Sequence, residues 1–238
     1  LNPYGVTRQC CDTDEHPNTI PVILALDVTG SMGSASAEVA KKLNEVMTKL
    51  YEQVKDVEFC IMGIGDLSYD GAPIQISQFE SDIRIAEQLD KVYFEGGGGG
   101  NAFESYTAAW YMGARHTDLD CWKRGKKGII ITMGDEPLNP YLPKDSLNGA
   151  TGDKLQADVE TDALYKETLE KFDIYHLAVK DHETCYDNYE QRIKSSYGKY
   201  LDNEHFKVVG LDNIASTIID IVAGNATSAI PTITEISW

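Results

Sequence analysis

The sequence predicts an α/β fold: a three-layer α/β/α sandwich around a doubly wound, mostly parallel sheet with one antiparallel edge strand. Three observations carry this. Short continuous apolar runs (residues 21–26, PVILAL; 57–64, VEFCIMGI; 128–133, GIIITM) read as strands buried on both faces. Between them lie longer stretches with apolar side chains three and four apart, the spacing of a helix with one buried stripe. Strands that alternate with such helices run parallel, because each crossover returns the chain to the same end of the sheet.

The elements follow in order. The first strand, 21–26, ends at Asp27. Residues 37–54 place Val39, Leu43, Val46, Met47, Leu50 and Val54 on one helical stripe. A second strand spans 57–64, a shorter alternating one 74–79, and helical spacing returns over 82–92 through Ile83, Ala86 and Leu89. Five glycines, 96–100, interrupt the pattern, which resumes as helix over 104–115. The strand 128–133 runs into Gly134-Asp135. A Pro/Asn/Gly-rich stretch, 137–153, precedes a helix at 155–172, a strand at 173–179, a helix at 186–197, a short strand at 206–209 and a closing helix at 214–222. This divides the chain into an N-terminal extension (1–19), one domain (20–224) and a tail or linker (225–238). No internal repeat of 20–50 residues is visible, which argues against a solenoid or propeller.

Composition narrows the function. At 238 residues the chain can bury a single large core without disulfide staples. A formal charge of −17 makes it a poor partner for a phosphate backbone, so no nucleic-acid binding is expected. The same carboxylate excess suits cations and basic partners. No apolar run reaches 18 residues, so no membrane insertion is expected. Residues 1–19 are polar and carry no signal-peptide core. The cysteines (Cys10, Cys11, Cys60, Cys121 and Cys185) are odd in number and irregularly spaced, which fits a reducing compartment. Together these features predict a soluble, cytoplasmic protein, cut from a longer one.

In an open parallel sheet, ligands sit beyond the carboxyl ends of the strands, where the strand order reverses. After the first strand stand Asp27, Thr29 and Ser31, three oxygen-bearing side chains at alternate positions on an extended loop. After the glycine-rich loop come Asn101 and Glu104, and after the fourth main strand comes Asp135 in Thr132-Met133-Gly134-Asp135-Glu136-Pro137. Three loops thus offer oxygen ligands and no thiol or imidazole, a set that selects Mg²⁺, Mn²⁺ or Ca²⁺.

With these motifs in hand, the chain resembles the von Willebrand factor type A (vWA) domains that carry a metal-ion-dependent adhesion site. Their Asp-x-Ser-x-Ser motif is matched by Asp27-x-Thr29-x-Ser31. A prokaryotic, intracellular-type subgroup has Gly-Gly-Gly-Asp-x-Pro-Glu and Gly-Asp-Ala-Pro in the next two loops. Here these read Gly98-Gly99-Gly100-Asn101-Ala102-Phe103-Glu104 and Gly134-Asp135-Glu136-Pro137, and the Trp122-Lys123 pair also resembles that subgroup. The resemblance covers about residues 20–224. It implies metal ligation by Asp27, Thr29, Ser31, Asn101 and Asp135, with Gly100, Glu104 and Glu136 around them. It also implies a partner protein that offers Asp or Glu to the ion, and a role as adaptor in an assembly, some relatives working with ATPases. With Asp27 and Asp135 as the only nearby carboxylates, such a site is nearly neutral and keeps water-filled positions for the incoming acid. Two departures stand out: Asn101 replaces Asp, and Phe103 replaces Pro.

Other readings compete. A scaffold of the same fold with a vestigial site keeps the motifs without the ion. A haloacid-dehalogenase-like phosphatase also places Asp at the end of its first strand, but Thr29 replaces the second Asp of that motif and removes the general acid. No positioned His or Lys base accompanies the motifs, so no enzyme is implied. The glycines 96–100 lack the Gly-Lys-Ser/Thr ending of a phosphate-binding loop. The polar stretch 141–153 is expected to overhang the site and contribute partner specificity.

Overall fold

The computed structural model describes residues 1–32, 34–95, 103–180 and 189–228. In chain order the elements are β1 (Arg8–Cys10), β2 (Ile20–Asp27), α1 (Ser34–Gln53), β3 (Val57–Ile64), β4 (Ile74–Ile76), α2 (Arg84–Leu89), α3 (Thr107–Arg115), β5 (Thr117–Leu119), β6 (Gly128–Gly134), β7 (Tyr141–Leu142), α4 (Lys144–Thr151), β8 (Val159–Glu160), α5 (Thr161–Leu169), β9 (Phe172–Lys180), α6 (Tyr189–Tyr197), β10 (Phe206–Gly210) and α7 (Ile214–Ser228).

Six strands form the main sheet in the order β10-β9-β6-β2-β3-β4, all parallel except the antiparallel edge strand β4. Successive side chains along a strand point to opposite faces, and both faces are buried. Val22, Leu24 and Leu26 pack with Val39, Leu43 and Leu50 of α1 and Ile218 and Val222 of α7. Ile23 and Ala25 face the other way, onto Trp110 and Met112 of α3, Leu164 of α5 and Tyr197 of α6. This is the three-layer sandwich the apolar runs predict. The chain leaves β2 for β3 on one side and later returns to β6 on the other, so the strand order reverses between β2 and β6.

Several boundaries differ from the sequence reading. The expected helix at 155–172 is helical only over Thr161–Leu169. Its first part is extended: the Asn148 side chain brackets Leu155 through two hydrogen bonds, Asp158 accepts from the Lys144 backbone N–H at 2.9 Å, and β8 pairs with β7. The expected helix at 104–115 begins at Thr107, because Glu104 bridges to Leu138 and Ser105 Oγ accepts from the Leu67 N–H. The stretch 141–153 is ordered, and its start is held near the N-terminus of α3 by Asn139, whose side-chain N–H groups donate to Thr107 Oγ1 and the Tyr141 carbonyl. It forms β7 and α4, and its end, Asp153, bonds to Tyr111 and His116 at the far end of α3.

Residues 1–19 pack on the domain. β1 pairs in parallel with β5, the Leu1 carbonyl accepts from the Ile76 N–H, and Asp12 takes Thr19 and Arg124. Helix α7 continues through Ser228, into the stretch read as a tail.

Candidate metal centre

Asp27 ends β2 beside the point of reversal and is fully buried. Its Oδ1 accepts from the Thr29 N–H at 2.9 Å and from Thr29 Oγ1 at 2.6 Å. Its Oδ2 accepts from the Tyr106 hydroxyl at 2.5 Å. That hydroxyl accepts in turn from the Glu136 N–H at 3.1 Å, tying the loop after β6 to the end of β2. Gly134 makes room for the bridge: a Cβ there would overlap the Tyr106 ring and hydroxyl. The Thr29 hydroxyl spends its proton on Asp27, which leaves its oxygen in the acceptor role a cation requires.

More carboxylates converge than the two expected. Glu104 is 5% exposed and its Oε2 has no hydrogen-bond partner among the described residues. Burial, reinforced by the charges of Asp27, Asp66, Asp70 and Glu136, pushes its carboxyl up to about 9. Burial likewise raises Asp27 to about 6, with Glu136 adding to it, against the hydrogen bonds from Thr29 and Tyr106. Asp66, also buried, has an unpartnered Oδ2, and its N–H donates to Asp70 at 2.6 Å. Around Asp27 and Asp135 there are thus four further carboxyl groups, those of Glu104, Glu136, Asp66 and Asp70, with Glu104 raised far enough to favour its protonated form at neutral pH.

Of the residues the sequence singled out, Asp27 and Thr29 are in direct contact. Glu136 joins them through Tyr106, and Glu104 joins them through its charge coupling to Asp27 and Glu136. Asp135 is buried at the end of β6, and its charge acts on the same Tyr106 hydroxyl. Gly100, Asn101 and the Ser31 side chain lie outside the described residues. Sequence reasoning missed Tyr106, Asp66 and Asp70. Asp66 was within reach, because it lies just past the carboxyl end of β3, next to the end of β2 where Asp27 stands.

Behind Tyr106 sits a buried polar cluster in the core. His176 of β9 stacks on Tyr197 at 3.9 Å between ring centres and shares a 2.7 Å hydrogen bond with Thr132 through Nδ1. Burial lowers its pKa to about 3, so it is neutral.

The donor chemistry fits a hard divalent cation: buried carboxylate and hydroxyl oxygens, two of them unpartnered, and acidic groups as the main charges acting on one another. Among the described residues, no group of three or more His, Cys, Asp and Glu side chains is gathered tightly enough to hold an ion alone. An ion here would depend on hydroxyl and carbonyl oxygens as well.

No protein-family model matches the chain, and no curated protein matches it by sequence. Solved structures do. The pilus adhesin SpaC from Lactobacillus rhamnosus GG, in its open conformation, superposes with a TM-score of 0.56 at 12% identity, over 94% of this chain and 31% of the adhesin. The chain thus spans about a third of that protein's length. The vWF domain of the type V pili tip protein Mfa5 from Porphyromonas gingivalis gives 0.54 at 9% identity, over 88% of this chain and 96% of that domain. Proximal thread matrix protein 1 from the mussel byssus gives 0.53 at 12% identity, over 91% of this chain and 49% of that protein. At these identities the likeness is one of architecture, and the architecture is vWA-like.

Proposed function

We propose that this chain is a non-enzymatic protein-binding module, adhesive or adaptor in kind. A divalent cation (Mg²⁺, or Mn²⁺ or Ca²⁺) lies over the carboxyl ends of β2 and β6, and an Asp or Glu of the partner completes its coordination. The observation that carries this reading is the buried oxygen cluster at the point of strand reversal, where Glu104 Oε2 and Asp66 Oδ2 have no hydrogen-bond partner among the described residues. A buried carboxyl group is costly to ionise, and a nearby cation would lower that cost, stabilising the charged form of Asp27 and displacing the proton that Glu104 otherwise holds. Asp27, Thr29, Ser31, Asn101 and Asp135 are the ligands in this reading, with Asp27 also orienting Thr29. Gly100, Glu104 and Glu136 frame the site, and Tyr106 fixes Asp27 in turn. Neutral hydroxyl and amide ligands leave the ion electrophilic, which is what an incoming carboxylate exploits.

The fold likeness to a pilus adhesin and a pilus tip domain agrees with a binding role. His176, buried and neutral behind the site, is poorly suited to act as a base, which favours binding over catalysis. Residence in the cytoplasm, within an ATPase-containing assembly, belongs to the same proposal. The free thiols of Cys10, Cys11, Cys60 and Cys121 support a reducing compartment.

Calorimetric titration of Mn²⁺ and Mg²⁺ tests the reading. Binding heat and a rise in thermal midpoint at millimolar ion are expected, both lost in Asp135→Ala; a ligand at 100 times its Kd adds about 2.7 kcal/mol of stability. An absence of heat together with an unchanged midpoint would support a vestigial site instead.

A further inference from the structure

A second group of oxygens stands just past the end of β3, beside the site already described and apart from the ligands named for it. Asp66, Ser68 and Asp70 alternate along the loop that follows β3, in the spacing of Asp27, Thr29 and Ser31 after β2. Oxygen-bearing side chains at the first, third and fifth positions are how calcium-binding loops are built. The loop is wound tightly on itself. The Asp66 N–H donates to Asp70 Oδ2 at 2.6 Å and the Ser68 N–H to Asp66 Oδ1 at 2.7 Å. The Tyr69 and Asp70 N–H groups donate to the Asp66 carbonyl at 3.2 and 2.9 Å. Asp70 Oδ2 also lies over Gly65, where a Cβ would meet it at 2.5 Å. Both carboxylates therefore stand against the Gly65–Asp66 peptide.

These bonds use one oxygen of Asp66 and leave the other. Asp66 is 2% exposed and fixed in the loop through Oδ1, yet its Oδ2 has no hydrogen-bond partner among the described residues. A buried carboxylate oxygen without a donor is costly, and a cation removes that cost. The surroundings supply acids instead of bases. Burial raises the Asp70 carboxyl against the bond from the Asp66 N–H, and the charged groups acting on it are Glu95 and Asp66. Glu95 is itself anchored on the loop, its Oε1 accepting from the Ala72 N–H at 2.7 Å.

We propose that this loop binds a Ca²⁺ ion of its own, held by Asp66 Oδ2, Ser68 Oγ, Asp70 and the carbonyl of Ala72. The two carboxylates match the charge of the ion. Among the described residues no three acidic side chains gather tightly enough to hold an ion alone, so hydroxyl, carbonyl and water oxygens complete the shell of about six to eight that Ca²⁺ takes. Mg²⁺, which demands a near-ideal octahedron, suits such a loop less. Ser77 occupies the twelfth position, where tight calcium loops carry a bidentate glutamate, so the expected Kd is about 10⁻⁴–10⁻³ M. The bound ion stiffens the β3–β4 connection, which the Leu67 N–H ties to Ser105, the neighbour of Glu104.

Terbium luminescence of the full chain, with Ca²⁺ as competitor, tests this. Tb³⁺ takes the same oxygen ligands, and Tyr69, exposed within the loop, sensitises it. The expected result is tyrosine-excited emission that Ca²⁺ displaces with the affinity given above. Asp70→Asn, which keeps an acceptor for the Asp66 N–H, should weaken binding about tenfold, and Ser68→Ala, at an exposed position, about threefold. Asp135→Ala should leave this binding unchanged, so loss of the ion proposed over β2 and β6 is read separately from loss of this one. An unaltered chain without Ca²⁺-displaceable emission would overturn the proposal, as would emission that Asp70→Asn leaves intact. Emission that disappears entirely in Asp135→Ala would also overturn it, because the only ion would then be the one over β2 and β6.

Discussion

Tyr106 and Glu104 set the chemistry of the cluster more than either Asp of the motifs. The Tyr106 hydroxyl donates to Asp27 Oδ2 and accepts from the Glu136 N–H, so Tyr106→Phe leaves two buried groups short of a partner. The expected cost is about 1–3 kcal/mol in urea unfolding with EDTA present, with a weaker Mn²⁺ affinity because Asp27 is no longer held on both oxygens. Glu104 makes a prediction of opposite kind. Its carboxyl titrates near 9 in the folded chain against an ordinary 4.5, so across that window the folded state keeps a proton the unfolded state has released. Stability without metal should therefore fall as pH rises from 6.5 to 8.5, by up to ~1.4 kcal/mol per pH unit, and Glu104→Gln should flatten the profile. His176 runs the other way: its folded value near 3 lies below the ordinary 6.5, so its contribution is lost as pH falls from 6.5 towards 3. Urea midpoints measured above pH 6.5 isolate Glu104, and an equal slope in the variant would contradict the assignment. Asp27, Thr29 and Asp135 were legible in the sequence because strand ends announce themselves. Tyr106 was not, because nothing in the order of residues shows that Gly134 opens the space it enters.

At the scale of elements, the strands buried on both faces were the easiest to read. The run 57–64 coincides with β3, and 128–133 with all but the last residue of β6. Helices packed by one stripe were read well where the stripe is long, as in α1, and poorly where side-chain clamps compete. Asn148 and Asp158 hold 155–160 extended against an apolar spacing that alone suggests helix. Close packing of β6 and β9 on α3 depends on Phe172, which is fully buried, lies against Gly113 and Gly128, and meets Trp122 edge-on with ring centres 5.9 Å apart. Phe172→Ala should cost about 3–5 kcal/mol in chemical denaturation, since neither glycine can move in to fill the space. A loss below 1 kcal/mol would mean that this corner of the sheet collapses freely. The N-terminal strand β1 was not visible in advance: three residues with no apolar run become a strand only because β5 offers an edge.

At the scale of the whole molecule, the sheet separates two kinds of chemistry. Buried and half-buried carboxyl groups gather at the carboxyl ends of β2, β3 and β6, whereas Lys55 and Lys126, which have no ion partner among the described residues, line a cleft at the amino ends beside α7. Net charge alone hides this division, because a sum of −17 carries no position. The strand order, with its reversal between β2 and β6, assigns the acidic end its place as a ligand site. The fold reading followed from periodicity, whereas the number of carboxylates at the site did not, since Asp66 and Asp70 reach it through the β3–β4 connection. The most direct measurement is the anomalous signal of a crystal soaked in Mn²⁺. The account predicts one strong peak within about 2.5 Å of Thr29 Oγ1, on the side facing Asp135. A map with no peak between the ends of β2 and β6, from crystals with Mn²⁺ bound elsewhere or not at all, would contradict it.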